Sequence, residues 1–92
     1  MAKTKYTYLY NGKVVRNSNR VYEYGLVNHN GEVIACSSTE KGALKLKISE
    51  INRHKHNLEY YKKHKPQYAE YSEIDLANTE KWHTVKLERK EN

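Results

Sequence analysis

From Lys3 to Tyr10 the chain alternates Lys5, Thr7 and Leu9 with Tyr6, Tyr8 and Tyr10. This period of two gives a β-strand one aromatic face. Asn11-Gly12 follows, a two-residue hairpin signal because both turn positions need positive φ, and Lys13 to Asn17 returns as a second strand. Asn17-Ser18-Asn19 is polar and turn-forming. Arg20 to Val27 predicts a third strand, with Val21, Gly25 and Val27 on one face and Tyr22, Tyr24 and Leu26 on the other. Asn28-His29-Asn30-Gly31 turns the chain into a fourth strand, Glu32 to Ser37.

The period then changes. Leu44, Ile48, Ile51, Leu58 and Tyr61 fall on one stripe of a helix running to Lys65, where Pro66 stops it. Ser37 or Ser38 caps its start, with Ser37 and Glu40 in capping-box spacing, and Lys62, Lys63 and Lys65 suit the negative end of its dipole. The stripe is expected to lie on the sheet, with Lys55 snorkelling from it. Between Pro66 and Glu80 the pattern fits a short helix or an irregular strand, and the alternation of Ser72, Ile74 and Leu76 with Glu73 and Asp75 favours the strand. Lys81 to Arg89 predicts a strand, and Lys90 to Asn92 are expected to fray. The whole reads as an α+β fold, residues 1–92 forming one small domain. It is a four-stranded antiparallel meander packed on one long helix, with a C-terminal strand.

Composition changes this picture in one respect. Leu, Ile and Val number 7, 4 and 6, Phe is absent and Tyr number nine, so several tyrosines must take core positions in a chain of 92 residues. The single cysteine, Cys36, cannot form an internal disulfide and reads as an inert thiol in an apolar strand. The start MAKTKYTY lacks the apolar run of a signal peptide, and no stretch is apolar enough to span a membrane. A cytoplasmic protein is expected, in its own cell or, if phage-encoded, in a host.

Charge is uneven. Residues 1–37 carry +3 and residues 38–65 carry +5, while residues 66–92 carry −2. A basic front suggests a polyanion, an acidic protein surface, or a helix kept soluble by lysine. Tyr22 and Tyr24, like Tyr6, Tyr8 and Tyr10, are spaced by two, so two strands each present an aromatic row. Beside Lys5, Lys13, Arg16 and Arg20 such a row is a stacking platform for bases with cations for phosphates; equally, it is a core built from Tyr because Phe is missing. Lys13, Arg16 and Arg20 flank turns, where arginine suits bidentate contact with guanine or phosphate and charge also protects a sheet edge. Lys41 and Lys45 stand at the helix start, as phosphate contacts or as part of a solvated face.

Metal and enzyme signals are weak. His54 and His56 point about 200° apart on a helix and cannot share an ion. No Gly-rich phosphate loop, GxSxG, HExxH or CxxC pattern occurs. Glu70, Glu73, Asp75 and Glu80 could in principle hold a cation beside His83, but they read better as a solvated loop. No cofactor, metal or catalysis is expected.

Three features, Tyr22-Glu23-Tyr24, Asn30-Gly31 and Ser38-Thr39-Glu40-Lys41-Gly42-Ala43, together resemble the arm-type DNA-binding domains of phage and transposon integrases over about 35 residues. That resemblance implies a three-stranded sheet backed by a helix, with the open sheet face entering the major groove; the amino-terminal strand is additional to the pattern. The first expectation is therefore a small basic nucleic-acid-binding module, DNA before RNA, using Lys13, Arg16, Arg20, Tyr22, Tyr24, Lys41 and Lys45. The second is a protein-binding module such as a phage inhibitor of a host defence (anti-CRISPR-like) or of a metabolic protein, anchored by Tyr and Trp82. An uncovered apolar stripe on the helix would also suit a homodimer.

Overall fold

A computed structural model describes residues 3–92. The reading of the chain's start rests partly on Met1 and Ala2, which lie outside the described residues. The elements are β1 (Tyr6–Tyr10), β2 (Lys13–Ser18), β3 (Tyr24–Val27), β4 (Val33–Ser37), α1 (Glu40–His64), a 3-10 turn (Pro66–Tyr68), α2 (Ala69–Glu80), β5 (His83–Lys86) and β6 (Glu88–Glu91). The fold is α+β with antiparallel pairing throughout, and β1 to β4 follow one another as two hairpins before the long helix.

The strands divide between two sheets, ordered β2-β1-β6 and β4-β3-β5. β2 and β3 do not pair. Residues Arg20 to Glu23, expected as strand, form the crossing between the sheets instead. The buried hydroxyl of Tyr8 holds this crossing. It donates to the Arg20 carbonyl at 2.6 Å and accepts from the Tyr22 N–H at 2.8 Å. β5 and β6 flank Leu87, so the tail passes from one sheet to the other, and the Leu87 N–H donates to the Glu23 carbonyl at 2.8 Å.

β3 is the centre of the molecule, with Gly25, Leu26 and Val27 all buried. Directly opposed residues of an antiparallel ladder share a face. Leu26 opposes Ala35 and Thr84, and the Thr84 hydroxyl bonds Glu40 of α1 at 3.2 Å, so that face meets the helix. Gly25 opposes Cys36 and Val85 on the other face. A Cβ at Gly25 would stand 3.0 Å from Leu87 and 3.1 Å from Val33, so those side chains would have to yield by a few tenths of an ångström. Burial pushes the Cys36 thiol above its ordinary pKa, and the Arg16 guanidinium partly offsets this.

Both hairpin turns form as the sequence predicts. Asn11 and Gly12 take φ of 52° and 78°, and Gly31 takes 82°. Asn28 Oδ1 closes the second turn by accepting from the Asn30 and Glu32 N–H groups.

The helix departs from expectation at its start and along its side. Thr39, rather than Ser37 or Ser38, is the N-cap. Its Oγ1 accepts from the Gly42 N–H at 3.0 Å, and Glu40 is turned to Thr84 instead of back to the cap. The stripe Leu44, Ile48, Ile51, Leu58 does not line the sheet. Ile48 is 54% and Leu44 40% exposed, while Ala43 and His54, roughly 80 to 100° around the helix, are buried. Small Ala43 lets the helix approach the sheet, and His54 lies on the side that also carries half-buried Glu50, Asn57 and Tyr61.

Residues Ala69–Glu80 are helix α2, where an irregular strand was favoured. α2 packs back along α1 and buries Ser72 and Thr79, leaving Ile74 exposed. The period-two reading failed because the inward residues are small and polar. Thr79 satisfies its own hydroxyl on the Asp75 carbonyl at 2.7 Å. The tail expected to fray is tied down: Asn92 donates from its backbone to the Lys5 carbonyl at 2.9 Å and from its side chain to the Thr4 carbonyl at 3.0 Å. With α1 about 37 Å long, the chain is elongated, 52 × 26 × 23 Å. Among the described residues no helix is long and apolar enough to cross a membrane.

Candidate nucleic-acid interface

The alternation of β1 aims Tyr6 and Tyr8 to the same side of its sheet. A bulge in β2 at the Tyr8/Leu9 step places Arg16 opposite Tyr8, and β6 places Arg89 opposite the same residue from the other side. Arg16, Tyr8 and Arg89 thus form one row across three strands. The crossing segment brings Tyr22 against it: the Tyr8 and Tyr22 rings meet edge to face at 5.5 Å, and Tyr6 lies 6.4 Å from Tyr8. Each outer ring is capped by a guanidinium, Arg16 at 5.0 Å over Tyr22 and Arg89 at 5.3 Å over Tyr6.

Tyr8 is wholly buried and serves as the anchor; Tyr6 and Tyr22 are half-buried, and both arginines are exposed. Among the described residues the only ion pair joins Glu50 to Arg53, with His54 also within 3.6 Å of Glu50, so neither arginine is neutralised by a carboxylate. An arginine stacked on a ring is positioned by it, weakly hydrated, and free to direct its N–H groups at a phosphate or a base edge. Glu23 and Lys86 share a shallow hollow with Tyr22, Leu87 and Arg89, so the patch is mixed at its rim.

The structure brings Arg16 and Tyr22 together, with Arg20 two residues away in the crossing. It does not bring the remaining candidates to them. Lys13 sits at the far end of β2, in a cleft of about 470 Å³ between the two hairpin turns, lined by Tyr10, Val14, Val33 and Glu32 among others. Tyr24 opposes Ser37 and Lys86 on the face of β3 that carries Leu26, away from Arg16. Lys41 and Lys45 are exposed on the first turns of α1, across the β4-β3-β5 sheet from Arg16.

Tyr6 and Tyr8, from the first of the two aromatic rows, join the cluster, and so does Arg89, which the sequence does not single out. The tyrosine row is legible in the sequence, but Arg89 meets Tyr8 through pairing of the chain's two ends, which no local pattern signals. Among the described residues no group of three or more His, Cys, Asp or Glu gathers in a metal-binding arrangement. No protein-family model, curated protein or solved structure matches this chain.

Proposed function

We propose that the chain is a small non-enzymatic nucleic-acid-binding module whose contact surface is the Arg16–Tyr22–Tyr8–Tyr6–Arg89 cluster, with Arg20 beside it. The observation that carries this reading is the row of two unpaired, ring-stacked arginines flanking an anchored tyrosine across three strands. The net charge of +6 supplies the long-range attraction. The cluster supplies stacking and bidentate donors, and DNA is the first candidate.

The test is fluorescence anisotropy with labelled single- and double-stranded DNA and RNA at about 50 and 200 mM salt. Micromolar or tighter binding should fall steeply with salt. Arg16→Gln and Arg89→Gln should each weaken it about tenfold and flatten the salt slope by about one unit. The pair Lys62→Ala and Lys63→Ala, at the other end of α1, should change it much less. Binding that ignores Arg16 and Arg89 but tracks total charge would refute the assignment.

One observation favours a second reading, a protein-binding module of the host-inhibitor kind. Tyr60, Tyr68 and Tyr71 are exposed where α1 meets α2, in a chain of rings from His64 through Tyr60, Tyr61 and Tyr68 to Tyr71. Exposed tyrosine clusters are frequent interface anchors. A stoichiometric protein partner captured from nuclease-treated host lysate, and lost in Tyr71→Ala, would favour it over nucleic-acid binding.

A further inference from the structure

The uncovered side of α1 has a regular pattern. Leu44, Ile48, Ile51, Lys55, Leu58 and Lys62 are spaced four, three, four, three, four. This is the heptad seam by which helices pair. The stripe runs about 27 Å along the helix. Ile48 and Leu44 are 54% and 40% exposed, Ile51 and Leu58 are half-buried, and Lys55 and Lys62 are exposed. On one flank the seam is closed by the chain's own fold, where His54 is buried and Lys47 and Tyr61 half-buried. The other flank is open and carries Lys45, Asn52 and Glu59, all exposed and seven residues apart.

That open flank is charge-complementary to its own reverse. About an axis at Asn52, Lys45 maps onto Glu59, Glu59 onto Lys45, and Asn52 onto itself. We propose that α1 pairs with α1 of a second copy of this chain, antiparallel about a two-fold axis near Asn52, to make a homodimer. In this register Ile48 of each copy faces the other's Leu58, Ile51 faces Lys55, and Leu44 faces Lys62. Every lysine of the seam lies along an aliphatic residue with its ammonium at the edge. Each Lys45 meets a Glu59 across the flank, and the two Asn52 amides meet at the axis.

A parallel pair in register would set Lys55 against Lys55 and Lys62 against Lys62, and like charges at facing core positions are unfavourable. The charge pattern therefore selects both the partner, a second copy, and its direction. The inference stands apart from the nucleic-acid reading, because the face lies on α1 and its test contains no nucleic acid.

The test is equilibrium sedimentation of the full chain at loadings from about 10 μM to 1 mM. The mass should rise with concentration from 10.9 kDa towards twice that value. Ile48→Asp should keep the circular dichroism of the fold and hold the mass at that of one chain. Lys45→Glu and Glu59→Lys should each weaken self-association at least fivefold at low salt. Mixing the two single variants should restore pairing, because each copy then supplies the charge the other lacks, and the double variant should recover to within about threefold of the original. A single-chain mass up to the highest loading overturns the proposal. So does a dimer indifferent to Ile48→Asp, or singles that do not pair when mixed, which would mean that another face or another direction is used.

Discussion

Tyr8→Phe isolates the contact that joins the two halves of the fold. The substitution keeps a ring that is 0% exposed and removes one oxygen. That oxygen donates to the Arg20 carbonyl and accepts from the Tyr22 N–H, so its loss leaves two backbone groups of the crossing unpaired. A buried backbone group without a partner costs about 1 to 3 kcal/mol. Val21, between them, is 49% exposed, so water reaches part of this segment and the lower half of that range applies. The total is about 2 to 4 kcal/mol, a fall in Tm of about 10 to 30 °C for a chain of this size. Urea unfolding followed by the fluorescence of Trp82, the single tryptophan, measures it directly, with circular dichroism as the second probe. The midpoint should fall at unchanged slope. Tyr6→Phe, on the same strand face, is the control, expected within about 0.5 kcal/mol of the original. A Tyr8→Phe loss no larger than the control's would refute the account of the crossing as pinned by that hydroxyl.

Gly25→Ala should cost about 1 to 3 kcal/mol by overpacking, since its Cβ meets Leu87 at 3.0 Å and Val33 at 3.1 Å; equal stability in urea would mean the two sheets close more loosely there. Thr39→Ala should cost about 1 kcal/mol and Ser38→Ala only a few tenths, a comparison that thermal unfolding settles and that assigns the cap to Thr39. The hydrogen bond from Arg53 holds the Glu50 carboxyl below its ordinary pKa of 4.5, with partial burial opposing and the charges of Arg53 and His54 assisting. A carboxyl depressed in the folded state stabilises the fold above its unfolded pKa and loses that contribution as pH falls through the folded one. Glu50→Gln should therefore flatten the acid limb of Tm against pH below about 4.5. The effect is small and vanishes at high salt because the pair is largely exposed, and unchanged slopes in both proteins would refute it.

The hairpins were legible because their turns are local chemistry: Asn11-Gly12 and Gly31 need positive φ, and the alternating strands on either side have one way to face a core. The sheet partition was not legible. Arg20–Glu23 has the same alternation as a strand, and only the long-range bond to Tyr8 shows that it crosses between sheets. The same limit explains the site. Arg16 and Tyr22 stand in neighbouring segments and were both named, but Arg89 arrives from the other end of the chain. Lys13 flanks a turn, Tyr24 stands two residues from Tyr22, and Lys41 and Lys45 begin the helix; the length of β2 separates Lys13 from Arg16, and the layering of the fold separates the other three. Burial also inverts the usual residue choice in the helices. Ser72, Thr79, Ala43 and His54 go inside while Ile48 and Ile74 stay out, so apolar periodicity identifies a side of α1 but not what covers it.

The size of that uncovered side sets how strongly two copies can associate. Fully burying an aliphatic side chain gains about 1.5 to 3 kcal/mol. Leu44 and Ile48 are about half exposed, and Ile51 and Leu58 less so. The stripe thus offers about 4 kcal/mol per copy, or about 8 for a pair. The loss of independent motion removes at least about 4, and the two Lys45–Glu59 contacts return about 1. The remainder, at most about 5 kcal/mol, corresponds to a Kd of about 200 μM or weaker. Dilute chains are then single, whereas two chains held on adjacent stretches of one nucleic acid face each other at an effective concentration of about a millimolar. If both proposals hold, titration of a long duplex should be cooperative while a duplex short enough for one chain should not. Ile48→Asp should abolish the cooperativity and leave binding to the short duplex unchanged, because the stripe and the Arg16–Arg89 row lie on different layers of the fold. Cooperativity that survives Ile48→Asp would place the contact between bound chains elsewhere, with the exposed tyrosines at the α1–α2 end as the next surface to change.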